Sequence, residues 1–436
     1  MGSITISWLA ALFGLALAIF LIFKRINPVY ALFAGAIIGC LIGGASFAQT
    51  VSIIEKGTQS VMGTAIRVLA AGVLAGVMME SGAAETIAHA IVNKMGEKLA
   101  LMALALSTMI ITAVGVFIPV AVLIVAPIAL TVGKKSNISK LALLVALSGG
   151  GKAGNIISPN PNTIAAANGF HLSLSQVMIA GFIPAIFGLI VATILSGFLR
   201  KKGSIVEDGD IKETEESKSL ISLSKALVAP VLAIVLLMIG PIGKLVHVSC
   251  LETINIDAMY VLPFASLVGA LIMGKGRQIP HFVSNGLNRV AGTVLILIGA
   301  GAIAGLISTS DLSIQIVHLL AKIGLPGVYL APISGILMGL ATGSTSTAVI
   351  LATGSFGKAI LATGTGALAA AAMVHAGATV IDEVPQGNYF HITAQSMHMT
   401  IKERMTVIPY EFCVGLTMTV VATILYGFIS QIAIIN

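Results

Sequence analysis

Charge is scarce in this sequence: 9% of its 436 residues are Asp, Glu, Lys or Arg, against 57% hydrophobic. A soluble domain could not bury that much apolar side chain, so soluble enzyme classes are excluded and a polytopic membrane protein is implied. Cysteine is scarce too. Cys40, Cys250 and Cys413 are scattered without paired spacing, which implies neither a disulfide framework nor a metal site. No HExxH or GxSxG motif stands in a context that supports catalysis. Long hydrophilic sequence occurs once, at LRKKGSIVEDGDIKETEESKS (199–219). What remains is a succession of apolar runs, each near the roughly 20 helical residues that a hydrocarbon core requires. The first, Trp8 to Phe23, has neither a basic region before it nor a small-residue cleavage site after it, and reads as a retained helix rather than a signal peptide. The net charge of +7 sits in short loops, where it orients helices; no nucleic-acid partner is expected.

The chain resembles itself. GTQSVMGTAIRVLAAGVLAGVMMESGAAETIAHAIVNKM (57–95) aligns without a gap on GLNRVAGTVLILIGAGAIAGLISTSDLSIQIVHLLAKIG (286–324), with identities at Gly63/Gly292, Gly72/Gly301, Gly76/Gly305 and His89/His318. Each half then offers two apolar helices, the matched helix (60–80 or 289–309), a mixed segment, an apolar pair broken by Gly and Pro, a second broken segment (138–168 or 360–392) and a final helix. If the broken pair is a re-entrant hairpin, each half crosses the membrane five times, and an odd number inverts the second half. The expected fold is therefore an all-α polytopic membrane protein of two inverted repeats, residues 1–199 and 226–436, joined by a flexible cytoplasmic linker at 200–225. Placing both termini outside leaves only Lys56, Lys244, Lys322 and Lys358 among the loop cations on the outer face, with Arg67 and Lys152 inside the membrane.

The breaks carry the polar chemistry. An unwound stretch at membrane depth must line a cavity or pack in protein, because main-chain amides cannot face lipid unpaired. SGGGKAGNIISPNPNT (148–163) is one such stretch, its glycines expected to interrupt the helix, Pro161 to begin the next, and the exposed amides there to favour an anion. HAGATVIDEVPQGNYF (375–390) is its counterpart, and the hairpin tips VGVFIP (114–119) and TGSTST (342–347) supply two more breaks. Candidate substrate ligands are Gly150, Gly151, Lys152, Asn155, Ser158, Asn160, Asn162 and Thr163 in the first stretch, Gly343, Ser344, Thr345, Ser346 and Thr347 at the hairpin tip, and His375. Lys152 needs an anion, either a substrate carboxylate or Asp382 or Glu383. Asp382, Glu383 and His375 are candidate proton carriers. Arg67, whose aligned partner is Ile296, is left outside the site, to pair with Glu80, Glu85 or a lipid phosphate.

The helix order, SPNPNTIAAANGF after the Gly-rich run, GSTSTAV, and MTIKERMTVIPYEFCVGLTMTVVATIL resemble the gluconate permease (GntP) family of the ion transporter superfamily. The resemblance spans nearly the whole chain. It implies a proton-coupled importer of gluconate or related sugar acids and hydroxy acids, in a bacterial inner membrane, with an inverted-repeat fold, a homodimeric assembly and no cofactor. HAGATVIDEVPQGNYF departs from the HVNDSGFW expected of that family, which keeps glycerate and D-serine open as ligands. Sodium would suit the same hydroxyl, amide and carbonyl oxygens as a coupling ion; a channel is a more remote alternative, and an intramembrane enzyme using Ser346 and His375 lacks a third orienting residue.

Overall fold

The computed structural model describes residues 5–96, 99–211, 221–252, 254, 256–322, 324, 326–385 and 387–429. Lys98, the middle of the linker and both chain ends lie outside the described residues. Apart from two isolated bridges, Ile6 with Ser310 and Ser139 with Ile205, the described chain is helical or irregular.

The helices follow the apolar runs. The first half comprises α1 (Trp8–Phe23), α2 (Pro28–Ile42), α3 (Phe47–Glu80), α4 (Ala83–Met95), α5 (Ala100–Ala113), α6 (Ile118–Ser136), α7 (Lys140–Asn155), α8 (Pro161–Gly169) and α9 (Leu174–Phe198). A single turn, α10 (Leu223–Ala226), leads into α11 (Val228–Leu245), with α12 (Ser249–Glu252) and α13 (Ala258–Ile272) after it. Then come α14 (Ile279–Ser308), α15 (Leu312–Lys322), α16 (Leu330–Thr342), α17 (Thr345–Ala362), α18 (Ala367–Gly377), α19 (Asn388–Ser396), α20 (Ile401–Met405) and α21 (Ile408–Ala422). Among the described residues, seven helical segments are long and apolar enough to cross a membrane, those containing α3, α6, α9, α11, α14, α17 and α21.

Leaving out the short α10, α12 and α20, the element order of the first half recurs in the second. Local detail recurs with it. Ahead of α9, His171 takes a left-handed φ of 56° and Ser173 forms a capping box with Gln176; ahead of α20, His398 takes 48° and Thr400 forms one with Glu403.

The two long helices α3 and α14 form the central contact, and they cross antiparallel. Gly57 faces the backbone of Gly301 and Gly305, while Gly72 and Gly76 face Gly286; a Cβ on Gly57 would lie 2.1 Å from the Gly301 carbonyl oxygen. Small residues permit this approach, which maximises dispersion contact where lipid offers no hydrophobic gain. α3 begins well before the expected residue 60, because Ser46 and Gln49 cap its amphipathic first turns.

The linker, expected to be flexible, is docked over its described first part. Lys140 Nζ donates to Asp210 Oδ1 at 2.8 Å and to the His398 carbonyl at 3.0 Å, and Lys134 pairs with Asp208 at 3.0 Å. Partial burial alone would raise the Asp210 carboxyl; the Lys140 hydrogen bond and charge, with the Glu207 N–H, outweigh it and hold the group below its usual value.

Candidate functional site

The glycine run does not unwind. α7 continues through SGGGKAG to Asn155, and the break falls at residues 156–160. These glycines are points of closest helix approach. A Cβ on Gly150 would lie 1.9 Å from the Ala105 carbonyl oxygen, one on Gly154 2.1 Å from that of Met109, and one on Gly151 2.7 Å from the Ile118 side chain. Gly150 and Gly151 are thus packing positions rather than ligand-facing backbone.

After the break, Pro161 opens α8 as expected, but the amides behind it are occupied. Asn160 is the N-cap, its Oδ1 accepting from Asn162 N at 2.9 Å, Thr163 N at 3.0 Å and the Thr163 hydroxyl at 3.2 Å. Its own amide nitrogen donates to Asn155 Oδ1 at 2.6 Å, where Asn162 Nδ2 also donates at 3.0 Å. The Asn155 carboxamide therefore has a doubly engaged oxygen and a buried nitrogen with no protein partner; the buried Ser158 hydroxyl likewise has none.

The second half supplies the facing wall. α16 ends at Gly343, whose φ of 61° turns the chain into the Ser344 N-cap of α17. From this tip Thr345 donates to Asp382 Oδ2, Ser346 donates to Asn162 Oδ1 at 2.5 Å, and Thr347 donates to Ser344 Oγ at 3.2 Å. Beyond α18 the chain runs irregularly to α19, presenting Asp382 and Glu383. Lys152 meets both acids: its Nζ donates to Asp382 Oδ1 at 2.8 Å, and it also contacts Glu383 Oε1 and the Thr379 carbonyl. Lys152 and Glu383 are fully buried and Asp382 nearly so. Lys152 thus has anionic partners within the protein.

All four breaks border one cavity of about 770 Å³. Asn155, Asn162, Gly343, Ser344, Thr345, Ser346, Thr347 and Asp382 line it, together with Phe117 to Pro119 from the first hairpin. Lys152, Asn160 and Glu383 stand behind the wall, bonded to residues in it, while Gly150, Gly151, Ser158 and Thr163 do not line it. His375 lies in the last turn of α18 rather than in an unwound loop; it is buried, its Nε2 is unpartnered, and it does not border the cavity. The sequence reading missed the opposite wall, where Arg25, Asn27, Arg289 and Thr293 face the breaks, and Tyr389, which donates to Ser148 at 2.6 Å. The signal of Arg25 and Arg289 in the sequence is their charge, which a count of loop cations assigns to helix orientation. Two further arginines have partners within the protein. Arg404, counted among the cytoplasmic loop cations, is fully buried, bonded to Glu411 at 2.7 and 3.0 Å and set 5.0 Å over the Phe390 ring. Arg67 pairs with Asp257 at 2.5 Å, whereas Glu80 pairs with Arg289 and Glu85 approaches His89.

Interrupted apolar helices that turn hydroxyls, carboxamides and a carboxylate into a shared hollow are the construction of a membrane transporter, since such groups could not face lipid. Residues 5–432 match the family described as GntP family permease. The chain is 50% identical to an uncharacterized transporter of Haemophilus influenzae, over 97% of this chain and 99% of that protein. It is 25% identical to the gluconate permease of Bacillus subtilis (85% and 90% covered) and 26% identical to the D-serine transporter DsdX of Escherichia coli K12 (76% and 77% covered). The crystal structure of the Alcanivorax borkumensis YdaH transporter superposes with a TM-score of 0.67 at 14% identity, covering 88% of this chain and 90% of that one, which shows a shared fold. The chain belongs to the GntP permease family and is a transporter rather than an enzyme. Its apolar helices and this bacterial family fit a multi-pass protein of the inner membrane.

Proposed function

We propose that the protein imports a small organic acid, gluconate or a related sugar acid or hydroxy acid, together with protons, by alternating access. One observation carries the reading: the four helix breaks border a single polar cavity lined by Asn155, whose buried amide nitrogen has no protein partner, by Arg25, and by Arg289, which pairs with Glu80. A carboxylate or a row of hydroxyls complements that wall, since an unpartnered buried donor is costly until something accepts from it. Behind the wall, one ammonium faces two carboxylates. The cluster carries one negative charge in excess in a dry setting, and one proton on Asp382 or Glu383 neutralises it.

The repeats, 1–199 and 226–436, are in this reading related by a two-fold axis in the membrane plane, with the linker cytoplasmic, both termini outside and the carrier assembled as a homodimer. The antiparallel crossing of α3 and α14 supports the inversion, as does the exchange of contacts under the repeat alignment: Gly57 on Gly301 corresponds to Gly286 on Gly72. With that orientation the cavity faces the cytoplasm.

Thermal unfolding of the purified protein with gluconate, glycerate, lactate or D-serine tests the substrate class. A ligand at about 100 times its Kd adds about 2.7 kcal/mol. Stabilisation by gluconate or glycerate that is lost in Asn155→Leu is expected. Stabilisation by D-serine alone would replace the organic acid with an amino acid, the reading favoured by the DsdX relative.

A further inference from the structure

The main cavity has a smaller counterpart. The repeat alignment pairs Arg67 with Ile296, and the N-cap of α13, Asp257, corresponds to the N-cap of α2, Asn27. Ile296 and Asn27 line the main cavity; Arg67 and Asp257 line a smaller one of about 300 Å³, bordered by the last turn of α8. There Arg67 Nε donates to both Asp257 oxygens at 2.9 Å and Nη2 donates to Oδ2 at 2.5 Å. Asp257 is itself fixed, because its Oδ1 accepts from Met259 N at 2.9 Å. The remaining guanidinium nitrogen, Nη1, donates to Asn168 Oδ1 at 3.3 Å.

That last bond joins two different groups of helices. Arg67 and Asp257 belong to α3 and α13, which pack on each other, and α3 packs on α14. Asn168 belongs to α8, whose first turn carries Asn162 into the main cavity wall. The counterpart contact is missing: α8 packs on α3, whereas among the described residues α19 makes no comparable packing on α14. The halves thus differ here: α8 is bonded to α3 through Arg67 and Asn168, and no such bond stands beside Ile296. Asn168 Nδ2 has no partner, so nothing else bonds that side chain in place.

We infer that Arg67, held in register by Asp257 and bonded to Asn168, is the latch that closes the substrate site on the face away from the main cavity. Opening on that face requires α8 to leave Arg67 while the bidentate Arg67–Asp257 pair stays intact. A single charge-assisted hydrogen bond between partly exposed groups suits a contact that is made and broken in every cycle; the two-point pair beside it does not. The inference rests on the alternating-access reading proposed above. Asn168 and Arg67 act here as gating residues, with Asp257 positioning the guanidinium.

The test uses the full chain with Cys250→Ser and Cys413→Ser, and a reporter cysteine introduced by Ala167→Cys in the latch cavity or by Thr293→Cys in the main cavity; maleimide labelling rates are read on purified protein. Asn168→Ala should raise labelling at position 167 about fivefold and lower it at position 293, the population shift expected for losing one such bond. Arg67→Lys should do the same, since an ammonium keeps Asp257 but loses the fork. Asn168→Asp should lower labelling at position 167. Variants that melt and elute like the parent but leave both rates within about twofold, or that raise both together, would overturn the latch. Proteoliposome uptake of gluconate, glycerate and D-serine by the parent separates the two levels: uptake with unresponsive reporters removes the latch alone, whereas absence of uptake and counterflow for every solute removes alternating access as well.

Discussion

Lys152 shows how far a single residue can be argued. Its type and its apolar surroundings demand an anion, but the partner lies 230 residues away in the chain, so no local pattern could choose between substrate and Asp382. Removing one member of a buried pair leaves an uncompensated charge, at about 3–5 kcal/mol. Lys152→Met is therefore expected to lower thermal stability by that order, and Lys152→Met combined with Asp382→Asn and Glu383→Gln to recover most of it. If the single variant melts like the parent, the buried triad is wrong. Glycine illustrates the same limit. A helix-breaking glycine and a close-packing glycine read alike in sequence, and SGGGKAG proved to be the second kind. Gly150→Ala should abolish folded expression, since its Cβ meets main chain at 1.9 Å, while Gly197→Ala, with nothing within 4 Å, should be neutral or stabilise by up to about 1 kcal/mol. Size-exclusion profiles of the two variants distinguish these outcomes.

At the scale of elements, helix order was legible because apolar run length and Gly/Pro punctuation report it directly. Boundaries were less so where polar sequence stays helical: residues 47–59 of α3 contain Gln, Ser, Glu and Lys, and only the Ser46–Gln49 box marks their start. The first break was displaced toward Asn160, whose side chain takes the amides that an anion was expected to use. Asn160→Ala should cost about 1 kcal/mol for the cap and, by freeing Asn155, should weaken ligand affinity in the thermal assay; unchanged affinity would separate the cap from the site. The docked linker gives a pH prediction. The Asp210 carboxyl is depressed when folded, so its contribution is complete above the ordinary value of 3.8 and is lost only as pH falls through the lower folded value. Hydrogen exchange of residues 200–211 should accordingly be constant from pH 5 to pH 8 once corrected for intrinsic rate, and should rise in Lys140→Ala. Release of the segment between pH 5 and pH 7 would contradict this.

At the scale of the molecule, the self-similarity of 57–95 and 286–324 led to the site, because corresponding breaks border the same hollow. What the sequence could not convey is asymmetry. Two aligned halves look equivalent on paper, yet one flanks a cavity of about 770 Å³ through Ile296 and the other a cavity of about 300 Å³ through Arg67, a difference that goes with the packing of α8 on α3. We propose that this hollow is the substrate site of a proton-driven carrier, and the most direct measurement is uptake of radiolabelled gluconate or glycerate into proteoliposomes in sodium-free buffer under an inward proton gradient. The account predicts accumulation above the external concentration that collapses with a protonophore and is absent in the double variant Asp382→Asn/Glu383→Gln; accumulation that survives the protonophore, or that persists in that variant, would contradict it.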